Sequence, residues 1–234
     1  MPFTATAPTR FLSPSAPMAG KGLVSWPLIK DAVLIFHPIA AWNRIATEPR
    51  SVPFIFFVYF LPLLLLAAAV EGGALMIRGQ HSLGANAVHQ ANFSTIFNCE
   101  LKEVGAMIGL VLVVGIFIQM FANTCHRRNT LAQSLTVVLH SLGPLLLVQL
   151  LNGVHGMNPW VTWAVGTVLV LGSLYHGLPR VLQPDAPSAL GLFLGSAFVM
   201  VMLLFLVQFF SIWFLLRQFK PHENILSVFT MNIF

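Results

Sequence analysis

Charge is scarce in this sequence. Only 8% of its 234 residues are charged, and Asp and Glu together number seven, whereas soluble domains carry about 25% charged residues. A surface with so little charge cannot be solvated by water on all sides, which argues against a soluble enzyme. The twelve Lys and Arg are scattered along the chain rather than massed, which argues against a nucleic-acid-binding face.

Cysteine is also rare, and catalytic motifs are missing. Cys99 and Cys125 flank one apolar segment, so we expect them on opposite sides of a membrane and unpaired with each other. Two thiols are too few for a zinc or iron–sulfur ligand set. The sequence contains no HExxH, GxSxG or Walker loop and no paired carboxylates within an apolar segment. It therefore predicts no catalytic residue, no metal, no bound cofactor and no enzymatic reaction.

Hydrophobic residues, by contrast, make up 57% of the chain. Five uncharged stretches are long enough to cross a bilayer, at 52–70, 104–122, 131–151, 160–178 and 189–216. Continuous rather than alternating apolar runs indicate helices. We predict an all-α polytopic bundle of five spans over 52–216, with a flexible tail at 1–22, an interfacial amphipathic segment at 23–51 and a C-terminal tail at 217–234.

The distribution of Lys and Arg predicts the orientation of the bundle. If the five stretches span, eight of these residues fall on one side and four on the other. The positive-inside rule then places the N-terminus in the cytoplasm and the C-terminus across the membrane. The segment before the first span, with Pro38 and Trp42, has two open interpretations: a helix lying in the membrane interface, or a linker that packs on the bundle.

Polar side chains inside apolar segments are candidates for function, because they are expensive in lipid. The four candidates are Gln119, His140 and Gln149 within predicted spans and Glu71 at the end of the first span. Each can equally serve as an ordinary hydrogen-bond partner between helices. His140 could ligate haem or chlorophyll, but the sequence offers no second histidine at matching depth, so we predict no haem. A transporter or channel would need all four side chains to converge on one cavity.

Small residues recur at a spacing of four. Gly105 pairs with Gly109 and Gly191 with Gly195, a pattern that lets helices approach closely. Such faces can pack within one bundle, or against a second copy or another integral membrane protein.

Two segments resemble a known family. The first combines His37-Pro38, Trp42, Ile45 and Glu48 with Tyr59-Phe60-Leu61-Pro62-Leu63. The second runs from Leu174 to Leu182 and includes Tyr175, Gly177 and Pro179. Together they resemble the bacterial branch of the Yip family, the Ypt-interacting-protein family of five-span membrane proteins, over about residues 34–210. The resemblance implies a cytoplasmic N-terminus, five helices and no enzymatic activity.

Some properties of the family are not implied for this chain. Eukaryotic members bind small GTPases of the Rab type, but their acidic, aromatic tail and Asp-Leu-Gly-Pro signature are missing here, so small-GTPase binding is not inferred. The matched residues also have structural interpretations: Trp42 as an interfacial anchor, Pro62 as a kink, and Gly177-Leu178-Pro179 as a helix stop. Glu48 can pair with Arg44 if the segment is helical.

These observations predict a non-enzymatic scaffold, adaptor or membrane-organising factor in a bacterial inner membrane, in contact with lipids and with other integral membrane proteins or a second copy. The alternative is an accessory subunit or assembly factor of a respiratory or photosynthetic complex, in which lipid or pigment would contact the bundle. A small transporter or channel is a third hypothesis.

Overall fold

The computed structural model describes residues 35, 37–47, 50–78, 93–124, 129–154, 157–184 and 186–219. This part of the chain is helical and contains no strand. Helix α1 is Pro38–Thr47. Helix α2 begins as Val52–Ile55, passes through a π-helical turn at Phe56–Phe60 and continues as Leu61–Arg78. The remaining helices are α3 (Phe93–Thr124), α4 (Leu131–Gln149, extended by a 3₁₀ turn at Leu150–Gly153), α5 (Pro159–Val181) and α6 (Ala186–Phe219).

Five of these helices, α2 to α6, are long and apolar enough to cross a membrane. The chain is therefore an all-α integral membrane protein, as predicted. The predicted boundaries differ most at α3, which begins at Phe93 rather than near residue 104. Helix α5 also continues past Pro179 to Val181, so the Gly-Leu-Pro sequence lies in its last turns rather than ending it.

Local sequence explains several helix ends. At the start of α4, the Thr130 hydroxyl accepts from the backbone N–H of Gln133, and the Gln133 side chain accepts from the backbone N–H of Thr130. This reciprocal capping box satisfies N–H groups that have no partner within the helix. At the start of α5, Asn158 caps the N–H of Trp160 and Pro159 occupies the first turn, where its missing donor costs nothing. Just beyond α5, Gln183 has a φ of 44°, a left-handed conformation that is common where a helix ends.

The π-helical turn in α2 lies immediately before Pro62. The backbone N–H of Leu61 bonds to the carbonyl of Phe56, five residues back. A proline has no N–H to donate to the preceding turn, and a π-turn is one of the local adjustments that accommodate it inside a membrane helix. The distortion expected from Pro62 is thus a π-turn in an otherwise continuous span.

Helix α4 is the centre of the bundle. It packs most extensively along α5 and also contacts α2 and α3, while α6 packs on α3 and α5. Its inward residues are completely or almost completely buried: Val137, Val138, Leu139, Leu142, Leu145 and Leu146. Two glycines make its closest contacts possible, because a Cβ at Gly115 of α3 would clash with Leu135 and one at Gly166 of α5 would clash with Leu145. Small residues at such crossings let helix backbones approach.

Helix α1, part of the segment before the first span, packs on the bundle against α5; residues 23–34 of that segment lie outside the described residues. Trp42 is 0% exposed, and its indole lies on Gly177 of α5: a Cβ added there would stand 2.6 Å from Cζ2 of Trp42. The exposed side chain of Asn43 accepts a hydrogen bond from Nε of Arg180 at 2.9 Å. Trp42 is therefore a packing residue that joins α1 to α5.

We predict that Gly177→Ala destabilises the protein, because the added methyl group overlaps the Trp42 ring and α1 must shift. The expected loss is about 1–3 kcal/mol, the usual cost of overpacking, measured by thermal unfolding of the detergent-solubilised protein. Gly172→Ala on the same helix is the control, since a Cβ there meets nothing within 4 Å. Equal melting temperatures for the two variants would contradict the Trp42–Gly177 contact.

Candidate functional site

Three carboxylates from two helices line one cavity of about 280 Å³. Glu71 lies on α2, and Glu100 and Glu103 lie on α3. The spacing of three residues puts Glu100 and Glu103 on the same helical face, and α2 packs against α3 so that Glu71 joins them. We call this group the acidic cavity. The sequence did not reveal this cavity, because Glu71, Glu100 and Glu103 all lie between the first two predicted spans, 52–70 and 104–122.

Neutral polar side chains support two of these carboxylates. Nδ2 of Asn152 donates to Oε2 of Glu71 over 3.5 Å, and the hydroxyl of Thr162 donates to Oδ1 of Asn152. The hydroxyl of Ser211 on α6 bonds to Glu103. Among the described residues, Oε2 of Glu100 is buried without a hydrogen-bond partner. Asn152 therefore links the end of α4 to both α2 and α5 at this end of the bundle.

The remaining wall of the acidic cavity is aromatic and comes from α6. Phe210, Trp213 and Phe214 line it, together with Lys102 of α3. The Lys102 ammonium stands 3.3 Å from the centroid of the Phe214 ring, a cation–π contact. Within the described part of the chain, no group of three His, Cys, Asp or Glu side chains is placed to hold a metal ion. The cavity brings together three acidic groups and one basic group.

His140 lies in an aromatic cluster elsewhere in the bundle. Its ring stacks on Tyr59 at 5.0 Å and meets Trp42 edge-on at 6.0 Å. Nδ1 donates to the carbonyl oxygen of Thr136 at 2.9 Å, which requires the proton on Nδ1 because a carbonyl can only accept. His140 therefore joins α1, α2 and α4 in one packed contact.

A comparison with known protein families shows to which family the chain belongs. The Yip1 domain matches residues 32–219, most of the chain. The protein belongs to the Yip1 family. No curated protein and no solved structure matches it.

The two segments that carry the Yip resemblance meet in space. Trp42 from the first packs on Gly177 from the second, and Tyr59 joins them through His140. Tyr175, although 56% exposed, contacts Phe193 of α6 with ring centroids 5.3 Å apart. Pro38 begins α1, and Pro62 and Pro179 lie in α2 and α5. Glu48 lies outside the described residues, so its predicted pair with Arg44 is untested.

The four polar candidates of this Yip1-family protein are dispersed. Glu71 lines the acidic cavity, His140 belongs to the aromatic cluster, Gln149 is buried near the end of α4, and Gln119 is half-buried on α3. Gln119, His140 and Gln149 do not line the acidic cavity. The convergence required for a transporter is therefore not found there.

The glycine pairs divide between inner and outer surfaces. A Cβ at Gly195 would lie 3.1 Å from Cε1 of Phe121, so Gly195 serves the contact of α6 with α3. Gly105, Gly109 and Gly191 have open space where a Cβ would be. Closer helix contacts are made by Gly115, Gly166 and Gly177, and of these three only Gly177 was singled out from the sequence.

We predict that Asn152→Ala lowers stability, because Glu71 and Thr162 both lose a hydrogen-bond partner at a partly buried position. The expected loss is about 1–3 kcal/mol, measured as the shift in thermal unfolding in detergent. Asn98→Ala on the exposed face of α3 is the control and should change stability by less than about 0.5 kcal/mol. If the two variants unfold at the same temperature, Asn152 does not connect the helices as described.

Proposed function

We propose that this Yip1-family protein is a non-enzymatic scaffold or adaptor of a bacterial inner membrane that holds another integral membrane protein beside it. The supporting observation is the outer face of α3. Five residues spaced three or four apart form one stripe along it, which we call the α3 stripe: Leu101, Gly105, Gly109, Leu112 and Ile116.

The α3 stripe has the shape of a shallow apolar groove. Leu101, Leu112 and Ile116 are 57%, 50% and 47% exposed, and a Cβ at Gly105 or Gly109 would meet nothing within 4 Å. In lipid, apolar area alone does not drive helices together, so close approach at small residues is the main source of affinity. A membrane helix of a partner fits such a groove better than a soluble domain does.

The absence of catalysis and transport is part of the same proposal. The acidic cavity holds only one of the four polar candidates, and His140 is engaged in packing. The α3 stripe, with its two open glycines, favours lateral association in the bilayer as the activity of this protein.

We predict that the double substitution Gly105→Leu and Gly109→Leu releases the partner, because two leucine side chains fill the groove. Recovery of partner with the full-length tagged protein from its native membrane should fall roughly fivefold or more, which corresponds to about 1 kcal/mol. Quantitative mass spectrometry after isolation in mild detergent measures it. Gly172→Leu is the control, since Gly172 is also open but has no glycine four residues away.

A photo-crosslinking residue tests the location of the contact directly. Placed at Leu112 in the α3 stripe, it should give a discrete protein adduct, while the same residue at Val168 of α5, which is 68% exposed, should give none. An adduct with a second copy identifies a homo-oligomer, and one with respiratory or photosynthetic subunits supports the accessory-subunit alternative. Recovery of the wild-type protein alone, without adducts, would reject the scaffold proposal.

A further inference from the structure

A second cavity, of about 390 Å³, lies where several span ends meet. Arg50 stands two residues before α2, Asn129 lies just before α4, and Arg180 is in the last turn of α5. Helix α1 closes one side with Ile45 and Ala46. We call it the basic cavity. Because it lies at the ends of membrane-spanning helices, its depth is that of the lipid headgroups and not of the acyl chains.

Two guanidinium groups give the basic cavity its charge. Arg50 and Arg180 both line it, and its described lining residues include no Asp or Glu. Two arginines in one cavity make a candidate anion site, since guanidinium groups match phosphate and carboxylate geometry.

Arg180 is held in position by the fold. Its Nε donates to Oδ1 of Asn43 at 2.9 Å, and its Nη1 donates to the carbonyl oxygen of His176 at 2.7 Å. A guanidinium has five N–H groups, so these two bonds orient the side chain and leave further donors for a ligand. The Trp42–Gly177 contact places α1 so that Asn43 can make this bond.

Arg50 is held more loosely at the rim. It is exposed, and its guanidinium carbon lies 5.4 Å from the centroid of the Phe54 ring. A cation–π contact of this kind orients the charge without using its N–H donors. The two arginines thus approach the cavity from different segments of the chain, 130 positions apart in sequence.

The rest of the lining suits a phosphate that is attached to a partly apolar molecule. Asn129, Gln133 and Thr136 contribute neutral polar groups near the start of α4, whose positive dipole end also favours an anion. Ile45, Val181 and Leu182 contribute apolar surface. A free inorganic anion would use only the first set of groups, whereas a lipid headgroup with its glycerol would use both.

We propose that the basic cavity binds the phosphate of an anionic phospholipid, with Arg50 and Arg180 as its ligands. A soluble phosphate ester carries the same binding group as the lipid and is the alternative ligand. The inference goes beyond the scaffold proposal and does not depend on it, because α3 contributes no residue to the described lining.

The test titrates the full-length protein in neutral detergent with phosphatidylglycerol, and separately with phosphatidylcholine and with glycerol 3-phosphate, and counts bound molecules by native mass spectrometry. Wild-type protein should retain phosphatidylglycerol at least about tenfold more tightly than phosphatidylcholine. Arg50→Gln and Arg180→Gln should each lower that affinity roughly tenfold, as expected for loss of a charge-assisted hydrogen bond. Arg44→Gln is the control: Arg44 carries the same charge on α1 but does not line the cavity.

Each outcome decides the proposal. Phosphatidylglycerol retention that depends on Arg50 and Arg180 but not on Arg44 supports a lipid ligand, and displacement of that lipid by glycerol 3-phosphate supports a soluble source of the same phosphate. Equal retention of the two lipids, or an equal loss with Arg44→Gln, overturns it. If Arg180→Gln fails to fold because Asn43 of α1 loses its hydrogen bond from Arg180 of α5, the exposed Arg50→Gln variant gives the answer alone.

Discussion

The bilayer has no water to satisfy a backbone N–H or carbonyl, and the rest of this structure depends on that constraint. Each span must close its own hydrogen bonds as a helix, and the π-turn before Pro62 and the capping box at Thr130 are local solutions to the same requirement. In lipid, moreover, burying apolar side chains between helices brings no free-energy gain from the hydrophobic effect. The helices are therefore held by close fit, which explains why α4 meets α3 and α5 at Gly115 and Gly166.

The contact between Trp42 and Gly177 extends this principle to a helix outside the spans. A large aromatic ring in a glycine notch fixes α1 against the end of α5. Because α1 is fixed, Asn43 can orient Arg180, and Ile45 forms a wall of the basic cavity. The residues that carry the Yip resemblance thus act first through packing, and the basic cavity forms as a consequence of that packing.

The sequence predicts the spans well and their contacts poorly, for a physical reason. A long apolar run shows that a helix is surrounded by lipid, so the five spans can be predicted from composition. They do not report which faces meet. Gly105 and Gly109 look like a packing motif but face outward, whereas Gly115 and Gly166, which have no such spacing, make the close contacts. Recognising these would have required knowing that Leu135 and Leu145 lie opposite them.

The same limitation applies to the acidic cavity. The charges of Lys102 and Glu103 placed the start of the second predicted span at residue 104. Phe93, Ile96 and Phe97, however, precede them at helical spacing, and α3 extends over this region. In the extended α3, Glu100 and Glu103 line the same cavity as Glu71 of α2. This arrangement depends on the packing of α2 against α3, which neither segment shows by itself.

The described linings of the two cavities carry opposite charge, and this asymmetry bears on the predicted orientation. Arg50 and Arg180 line the basic cavity, while three carboxylates with a single lysine line the acidic cavity. The positive-inside rule predicts that the arginine end faces the cytoplasm, where the leaflet surface is negative. An anionic lipid is then available at the depth of the basic cavity. Binding there would hold α1, α4 and α5 at one membrane level, while the α3 stripe stays free for a neighbouring helix. Lipid binding and protein association can therefore use separate surfaces of the bundle.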